Sequence, residues 1–196
     1  MYSPDEIQAI NEGVLAEEVR GSNPRWWEDV QVGYELKPVV KGPMSHGDIT
    51  AFVDGCIGGI SHGIQLKEML RHPSWGFTDP NTGAQEAIIR VHDIQDAAES
   101  AGLPGAYDYG CQRCCWMGHL LTNWMGDDGS LKKMYVELRL FNVVGDTTWC
   151  RGRVSAKREE EVERLVDLEI WGENQRGETT TRGTATVWLP SKHVDN

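Results

Sequence analysis

Two cysteines, Cys111 and Cys114, form a C-x-x-C motif, a spacing that can serve redox chemistry or supply half of a zinc site. The sequence has no second pair, and no strand–helix–strand pattern surrounds this one as a thioredoxin-like motif requires. Five of the six histidines also lack the spacing of a metal site; they are His46, His72, His92, His119 and His193. We therefore predict neither a metal site nor a redox centre, and we expect small, buried cysteines that face a sheet.

The composition excludes several classes of partner. The formal net charge of −11 argues against nucleic acid or an anionic membrane, because phosphate binding needs a concentrated basic surface. No apolar run is long enough to span a membrane, and the first residues lack the pattern of a signal peptide. Five cysteines are an odd number and do not suggest a disulfide framework. We expect a cytoplasmic protein with no nucleic-acid or membrane partner.

The cysteine motif opens the most apolar segment of the chain, residues 107–126. Its large side chains fall in two helical rows, with Trp116, Leu120 and Trp124 in one and Met117, Leu121 and Met125 in the other. A helix that is apolar nearly all round is usually buried. We predict a buried central helix over 111–125.

Four strand-like runs follow this helix directly. From Leu131 the apolar residues recur with a period of two, and turn residues separate the runs near positions 144–146 and 174–177. We place strands at 131–141, 147–156, around 166–171 and at 180–189, with the charged run 157–163 as a connection. One buried helix wrapped by a curved antiparallel sheet is an α+β arrangement, the layout of a hot-dog fold.

The first half of the chain is less regular. Ser3 and Pro4 form a helix start, so residues 1–25 predict an N-terminal helical arm before a single domain over 26–190 and a tail over 191–196. A second helix is expected from Ser45 or Asp48, and a short one over 64–70. Between these helices the Gly-rich stretch 55–63 predicts a loop or a broken helix. Residues 72–106 predict a long irregular section with one helix near 93–101.

Residues 25–190 resemble the MaoC-like branch of the hot-dog superfamily, the acyl-CoA hydratases and dehydratases. The resemblance rests on the blocks 27–33, 42–43, 107–110, 118–129, 141–146, 173–178 and 183–187. It implies a small-molecule acyl-CoA substrate, with coenzyme A as part of that substrate and no separate cofactor. It also implies pairing of hot-dog domains, as a homodimer or as a heteromer with another hot-dog chain. A few local Arg or Lys residues suffice to hold the coenzyme phosphates against an acidic background.

The same resemblance implies residues for acid–base catalysis. The hydratase motif of the family, Gly-Asp-x-Asn-Pro-x-His, aligns its histidine with His62. Ile57 then stands at the position of the motif Asp, so half of the usual carboxylate–imidazole pair is absent from its place. Asp54, eight residues before His62, and Asp108 are the candidate carboxylates.

Two further features lie at the start of the central helix. Tyr109 aligns where related hydratases carry a histidine, and a phenol can donate a hydrogen bond to a thioester carbonyl but is a poor base at neutral pH. Gly110 and Cys111 open the helix, where a backbone N–H polarises the thioester carbonyl in hot-dog enzymes. The predicted catalytic residues are His62, Asp54, Asp108 and Tyr109, and the predicted substrate-binding residues are Gly110 and Cys111.

Three functions remain open at this point. The leading hypothesis is a hydratase or dehydratase that acts on an enoyl or 3-hydroxyacyl thioester of coenzyme A. The altered motif keeps a second hypothesis open, a non-catalytic or half-site subunit of a heteromeric MaoC-like hydratase. The third is an acyl-CoA thioesterase, because hydrolysis does not require the hydratase pair.

Overall fold

The computed structural model describes residues 1–57, 62–79, 81–161 and 163–193, with the side chains of Ile57 and His62 outside that description. The chain forms two compact units. The first, here the sheet unit, comprises Met1–Gly42, Arg113–Leu140 and Thr147–Asn196, and the second unit comprises Pro43–Gln112 and Phe141–Asp146. The domain boundaries expected from the sequence stay a prediction.

The α-helices and the four long strands after α5 follow the order expected from the sequence, and three short strands before α5 are additional. The α-helices are α1 (Pro4–Leu15), α2 (His46–Phe52), α3 (His62–Arg71), α4 (Gln95–Ser100) and α5 (Gly110–Met125). The strands are β1 (Val39–Lys41), β2 (Gly76–Thr78), β3 (Gln85–Ala87), β4 (Ser130–Leu138), β5 (Thr148–Glu160), β6 (Glu163–Asn174) and β7 (Thr179–Trp188). Within the described residues, none of these helices is long and apolar enough to cross a membrane.

The sheet unit contains one five-stranded sheet in the order β1-β5-β6-β7-β4, with every neighbouring pair antiparallel. The β5–β6 hairpin is longer than expected, because the ladder continues through Lys157–Val166 and Arg158–Leu165. The assignment of 157–160 to a connection was therefore wrong. Arg158 donates to Asp167 across this hairpin at 2.8 Å, so its charge is paired on the surface of the sheet.

The core of the sheet unit lies between this sheet and residues 113–125 of α5. Met117, Leu120 and Leu121 are almost fully buried and belong to one cluster with apolar residues of β5, β6 and β7, including Val154, Val166, Leu168, Ile170 and Val187. The prediction of a buried central helix wrapped by antiparallel strands is confirmed. The ring of apolar residues is incomplete, because Cys111, Cys115 and Thr122 share one exposed stripe of the helix. The expectation of buried cysteines was wrong for Cys111 and Cys115, and Cys114 is only half-buried.

The N-terminal arm begins as its sequence predicts. The Glu6 N–H donates to Ser3 Oγ, and the Ser3 N–H donates to the Glu6 carboxylate, which completes a capping box at the start of α1. The helix packs against β1 at Gly13, where an added Cβ would lie 3.1 Å from a methyl group of Val40. A glycine at this position therefore permits close contact between the arm and the sheet.

The second unit is built from short elements. Ser45 and Asp48 form the capping box that starts α2, and a π-helical segment, Val53–Ile57, follows that helix. Residues 58–61 of the Gly-rich stretch lie outside the described part of the chain. The section predicted as irregular contains the small hairpin β2–β3, a 3-10 helix (Ile88–His92) and α4. Its own small core is formed by Val91, Ala97 and Ala98, with Phe77, Ile94, Leu103 and Tyr107 packed against them.

Candidate functional site

The second unit contains a cavity of about 270 Å³, which we call the second-unit cavity. Its walls come from α2, the π-helical segment, α3, the 3-10 helix with the residue that follows it, and the residue before α5. They are formed by Ile49, Thr50, Val53, Asp54, Gln65, Ile89, Arg90, Asp93 and Tyr109. Most of these side chains are polar or charged. The cavity therefore offers several hydrogen-bonding groups beside an apolar wall formed by Ile49, Val53 and Ile89.

Tyr109 and Asp54, two of the predicted site residues, both line this cavity. The Tyr109 ring stacks on the His92 ring, with 3.9 Å between centroids and 22° between planes. Burial, together with the nearby charge of Asp93, raises the pKa of Tyr109 to about 12. The phenol is thus protonated at neutral pH, so it can donate a hydrogen bond but cannot act as a base.

His92 is fixed beside Tyr109 by the backbone. Its Nδ1 donates to the Tyr107 carbonyl at 2.9 Å. Burial lowers the pKa of His92, although the bond to Tyr107 and the charge of Asp108 oppose that shift. A neutral imidazole with one ring nitrogen already bonded supports the orientation of the Tyr109 ring.

An ion pair stiffens the opposite part of the cavity wall. Arg90 Nε lies 3.0 Å from each carboxylate oxygen of Asp93, and Arg90 Nη1 lies 3.3 Å from Glu86. Burial disfavours the charge on Arg90, but Asp93 outweighs it and raises the pKa of Arg90. The Asp93 carboxylate is thereby paired with Arg90, and it is not a free carboxylate base. Sequence reasoning missed this pair, although residues 90–93 place three ionisable side chains within one turn.

The backbone around the first turn of α5 is held by Gln112. The Tyr109 N–H donates to Gln112 Oε1 at 3.4 Å, and Gln112 Nε2 donates to the Asp48 carbonyl at 3.5 Å. The N–H groups of Gly110 and Cys111 are in the first turn, where helix geometry offers them no intrahelical acceptor. Together with the positive end of the helix dipole, they could stabilise a carbonyl oxygen that gains negative charge.

The other two predicted catalytic residues are Asp108 and His62. Asp108 is only 1% exposed, and its carboxylate accepts from Asn142 Nδ2 at 3.2 Å while its N–H donates to the Asn142 carbonyl. It is absent from the cavity wall. The backbone of His62 begins α3, but its side chain lies outside the described part of the structure. The catalytic roles of both residues stay predictions.

The described residues contain no group of three or more His, Cys, Asp or Glu side chains arranged to hold a metal ion. The two cysteines of the C-x-x-C motif differ in exposure, since Cys111 is exposed on α5 and Cys114 is half-buried.

The sequence matches no protein-family model and no curated protein. The structure is similar to an (R)-hydratase from A. caviae involved in PHA biosynthesis, with a TM-score of 0.60, 19% identity and coverage of 83% of this chain and 99% of that chain. A MaoC-like dehydratase from Rhodospirillum rubrum gives a TM-score of 0.60 at 18% identity, with coverage of 87% and 99%. The ChsH1-ChsH2 complex from Mycobacterium tuberculosis gives a TM-score of 0.59 at 16% identity, with coverage of 82% and 98%. With its five-stranded sheet packed on α5, the chain has the hot-dog fold found in MaoC-like proteins.

Proposed function

We propose that the chain is a MaoC-like hydratase or dehydratase that acts on an enoyl or 3-hydroxyacyl thioester of coenzyme A. The observation that carries this proposal is that Asp54 and Tyr109 line the same cavity, and that Tyr109 directly precedes the first turn of α5. The fold is that of a solved (R)-hydratase and a solved MaoC-like dehydratase, which supports the reaction class.

The first part of the proposed mechanism is polarisation of the thioester carbonyl. The backbone N–H groups of Gly110 and Cys111 and the protonated phenol of Tyr109 donate hydrogen bonds to the carbonyl oxygen. These groups stabilise the enolate-like charge that develops when water adds to the conjugated double bond. Because the phenol has a pKa of about 12, it stays a donor throughout the working pH range.

The second part is movement of protons by a carboxylate and an imidazole. In hydration, Asp54 accepts a proton from water, the resulting hydroxide adds to C3, and His62 gives a proton to C2; dehydration reverses these steps. Asp54 takes the role of the absent motif carboxylate, since the other carboxylate in the wall, Asp93, is held by Arg90. Asp54 itself is exposed, so water has access to it.

The proposal is tested by replacing His62 and Asp54 separately, as His62→Ala and Asp54→Asn. Each variant should lower the turnover of an enoyl-CoA by about 10²–10⁴-fold, the usual contribution of general acid–base catalysis. His46→Ala is the matched control, because His46 is exposed at the start of α2 and absent from the cavity wall. Hydration is followed by the loss of enoyl absorbance, and free thiol is measured in parallel.

Two results would contradict the proposal. If His62→Ala and Asp54→Asn retain the turnover of the His46→Ala control, neither residue moves the proton. If thiol is released while hydration is undetectable, the reaction is hydrolysis and the thioesterase hypothesis replaces this one.

The exposed sheet edge favours a second candidate, a half-site subunit. β4 is an edge strand of nine residues, and Tyr135 and Leu138 on it are exposed. Such an edge favours pairing with another sheet, and the similar ChsH1-ChsH2 structure is a complex of two named chains. Co-expression with a hot-dog chain that carries Asp-x-Asn-Pro-x-His tests this. Activity that appears only in the co-purified complex supports the half-site role, and turnover by the chain alone rejects it.

A further inference from the structure

The sheet unit contains a larger cavity, of about 430 Å³, where the end of the N-terminal arm passes the last turns of α5. We call it the arm cavity. Its charged wall consists of Arg20, Arg25 and Lys37 with Glu17 and Glu18, and Trp124 forms part of its apolar wall. Nothing in the proposed hydratase mechanism uses these residues.

The two arginines of the arm cavity are tied to backbone carbonyls. Arg20 Nη2 donates to the Pro24 carbonyl at 2.8 Å, and Arg25 Nε donates to the Trp124 carbonyl at 2.6 Å. Neither guanidinium forms a salt bridge within the described residues, and Arg20 Nε is buried there without a hydrogen-bond partner. Carbonyl oxygens fix the orientation of a guanidinium but do not neutralise its charge.

Packing holds Arg25 close to Arg20 in spite of their equal charge. The Arg25 guanidinium lies 4.8 Å from the Trp124 ring centroid and 5.8 Å from that of Tyr34. Burial lowers the pKa of Arg25 and the positive charge of Arg20 lowers it further, although Tyr34 and the charge of Glu18 oppose that shift. Two neighbouring cations without a bound carboxylate form a local excess of positive charge in a chain whose net charge is −11.

The carboxylates of the arm cavity offset this charge only in part. Glu17 Oε1 accepts from Asn123 Nδ2 and from His119 Nε2, both at 2.7 Å, and His119 Nδ1 accepts from Lys41 Nζ. Glu17 is thus committed to a separate hydrogen-bonded chain. Glu18 is exposed and is the remaining carboxylate against three cations.

We propose that the arm cavity binds a phosphate group through the guanidinium groups of Arg20 and Arg25, with Lys37 as an additional cation. A guanidinium presents paired N–H donors that match the oxygens of phosphate, and two of them side by side suit a dianion. The phosphate can be free or part of a larger molecule such as a nucleotide-bearing thioester. This inference does not depend on the hydratase proposal.

Isothermal titration calorimetry on the full chain tests the proposal, with inorganic phosphate, coenzyme A and dephospho-coenzyme A as separate ligands. We expect phosphate to bind the wild-type protein with a dissociation constant of about 0.1–5 mM. Arg20→Gln and Arg25→Gln should each weaken binding by about tenfold or more, since each removes a charge-assisted pair of hydrogen bonds. Arg153→Gln is the matched control, because it removes an exposed arginine that pairs with Glu169 on the sheet.

Glu18→Gln provides a test that does not depend on removing an arginine. It removes the competing carboxylate, so phosphate binding should tighten by about two- to fivefold. Binding of coenzyme A but not of inorganic phosphate, lost in both arginine variants, would still support the site and would identify the phosphate as part of a larger ligand. A weaker response to dephospho-coenzyme A would then point to the 3′-phosphate. No binding by any of the three ligands, or equal affinity in Arg20→Gln, Arg25→Gln and Arg153→Gln, would overturn the proposal.

Discussion

Removal of one hydroxyl group, in the substitution Tyr109→Phe, tests the role of the second-unit cavity most directly. The ring of residue 109 would keep its stacking on His92, because that contact involves the ring and not the hydroxyl. With a pKa of about 12, about one phenol in 10⁴ is ionised at pH 8, so the wild-type side chain acts only as a donor. The substitution therefore removes one hydrogen bond to the proposed carbonyl oxygen and little else.

The size of the effect follows from the donors that remain. Loss of one oxyanion-stabilising donor typically costs about 10²–10³ in kcat. The Gly110 and Cys111 N–H groups still contact the carbonyl in our mechanism, so we expect a smaller loss, at or below the lower end of that range, about 30- to 100-fold, or about 2–2.7 kcal/mol. Because the bond strengthens in the transition state, kcat and kcat/KM should fall together.

Tyr107→Phe is the matched control for this measurement. It deletes the same hydroxyl from a ring that also contacts His92, with 4.2 Å between centroids, but Tyr107 packs in the small core of the second unit and not in the cavity wall. Steady-state hydration of an enoyl-CoA between pH 6 and pH 10 gives the comparison. The reasoning is refuted if Tyr109→Phe stays within twofold of wild type, or if Tyr107→Phe loses as much activity. An alkaline limb that disappears in Tyr109→Phe would show that the phenol acts as an acid or base after all.

Two further predictions concern stability and assembly. Burial opposes ionisation of Glu28, but hydrogen bonds from Ser191 Oγ and the Lys192 N–H outweigh it and lower its pKa to about 2, below the ordinary value of 4.5. Since the folded-state pKa is depressed, the stabilisation is present above pH 4.5 and is lost as the pH falls toward 2. Glu28→Gln should therefore lower the urea midpoint of unfolding at pH 7, and the midpoints of the variant and the wild type should converge in acid. A difference between the two midpoints that stays constant from pH 7 to pH 2 would contradict this prediction. Pairing through the exposed β4 edge predicts a dimer, or a multiple of it, by light scattering at micromolar concentration, and a monodisperse monomer would count against that pairing.

The sequence predicted the parts of the fold that depend on local periodicity. The helical rows of α5 and the alternation of the last four strands are visible in short windows, because each buried face repeats within a turn or a pair of residues. The charged end of β5 was not predicted as strand, because its pairing depends on a neighbouring strand and not on a local period. Arg158 finds its counter-charge in Asp167 on the neighbouring strand, and this pairing is set by the register of the hairpin.

The candidate site was less accessible to sequence reasoning, because its walls come from distant segments. Asp54 and Tyr109 are separated by 54 intervening positions in the sequence, and their common cavity depends on the packing of α2 and the π-helical segment near the start of α5. Residue types alone could identify Asp54 and Tyr109 as separate candidates, but they could not show that both line one cavity. The Arg90–Asp93 pair had no expected role, since an irregular section gives no periodic signal for the side chains that face inward.

The stack of His92 on Tyr109 changes the meaning of the altered motif. By resemblance, related hydratases carry an imidazole at position 109, where this chain has a phenol, and position-by-position reasoning counted that imidazole as lost. The structure places an imidazole from the 3-10 helix directly against the phenol, at 3.9 Å between ring centroids. This imidazole is not a free substitute base, because its Nδ1 is bonded to the Tyr107 carbonyl and burial lowers its pKa. A neutral imidazole therefore orients the protonated phenol at the start of α5, and in the proposed mechanism that phenol holds the carbonyl oxygen while Asp54 and His62 transfer protons.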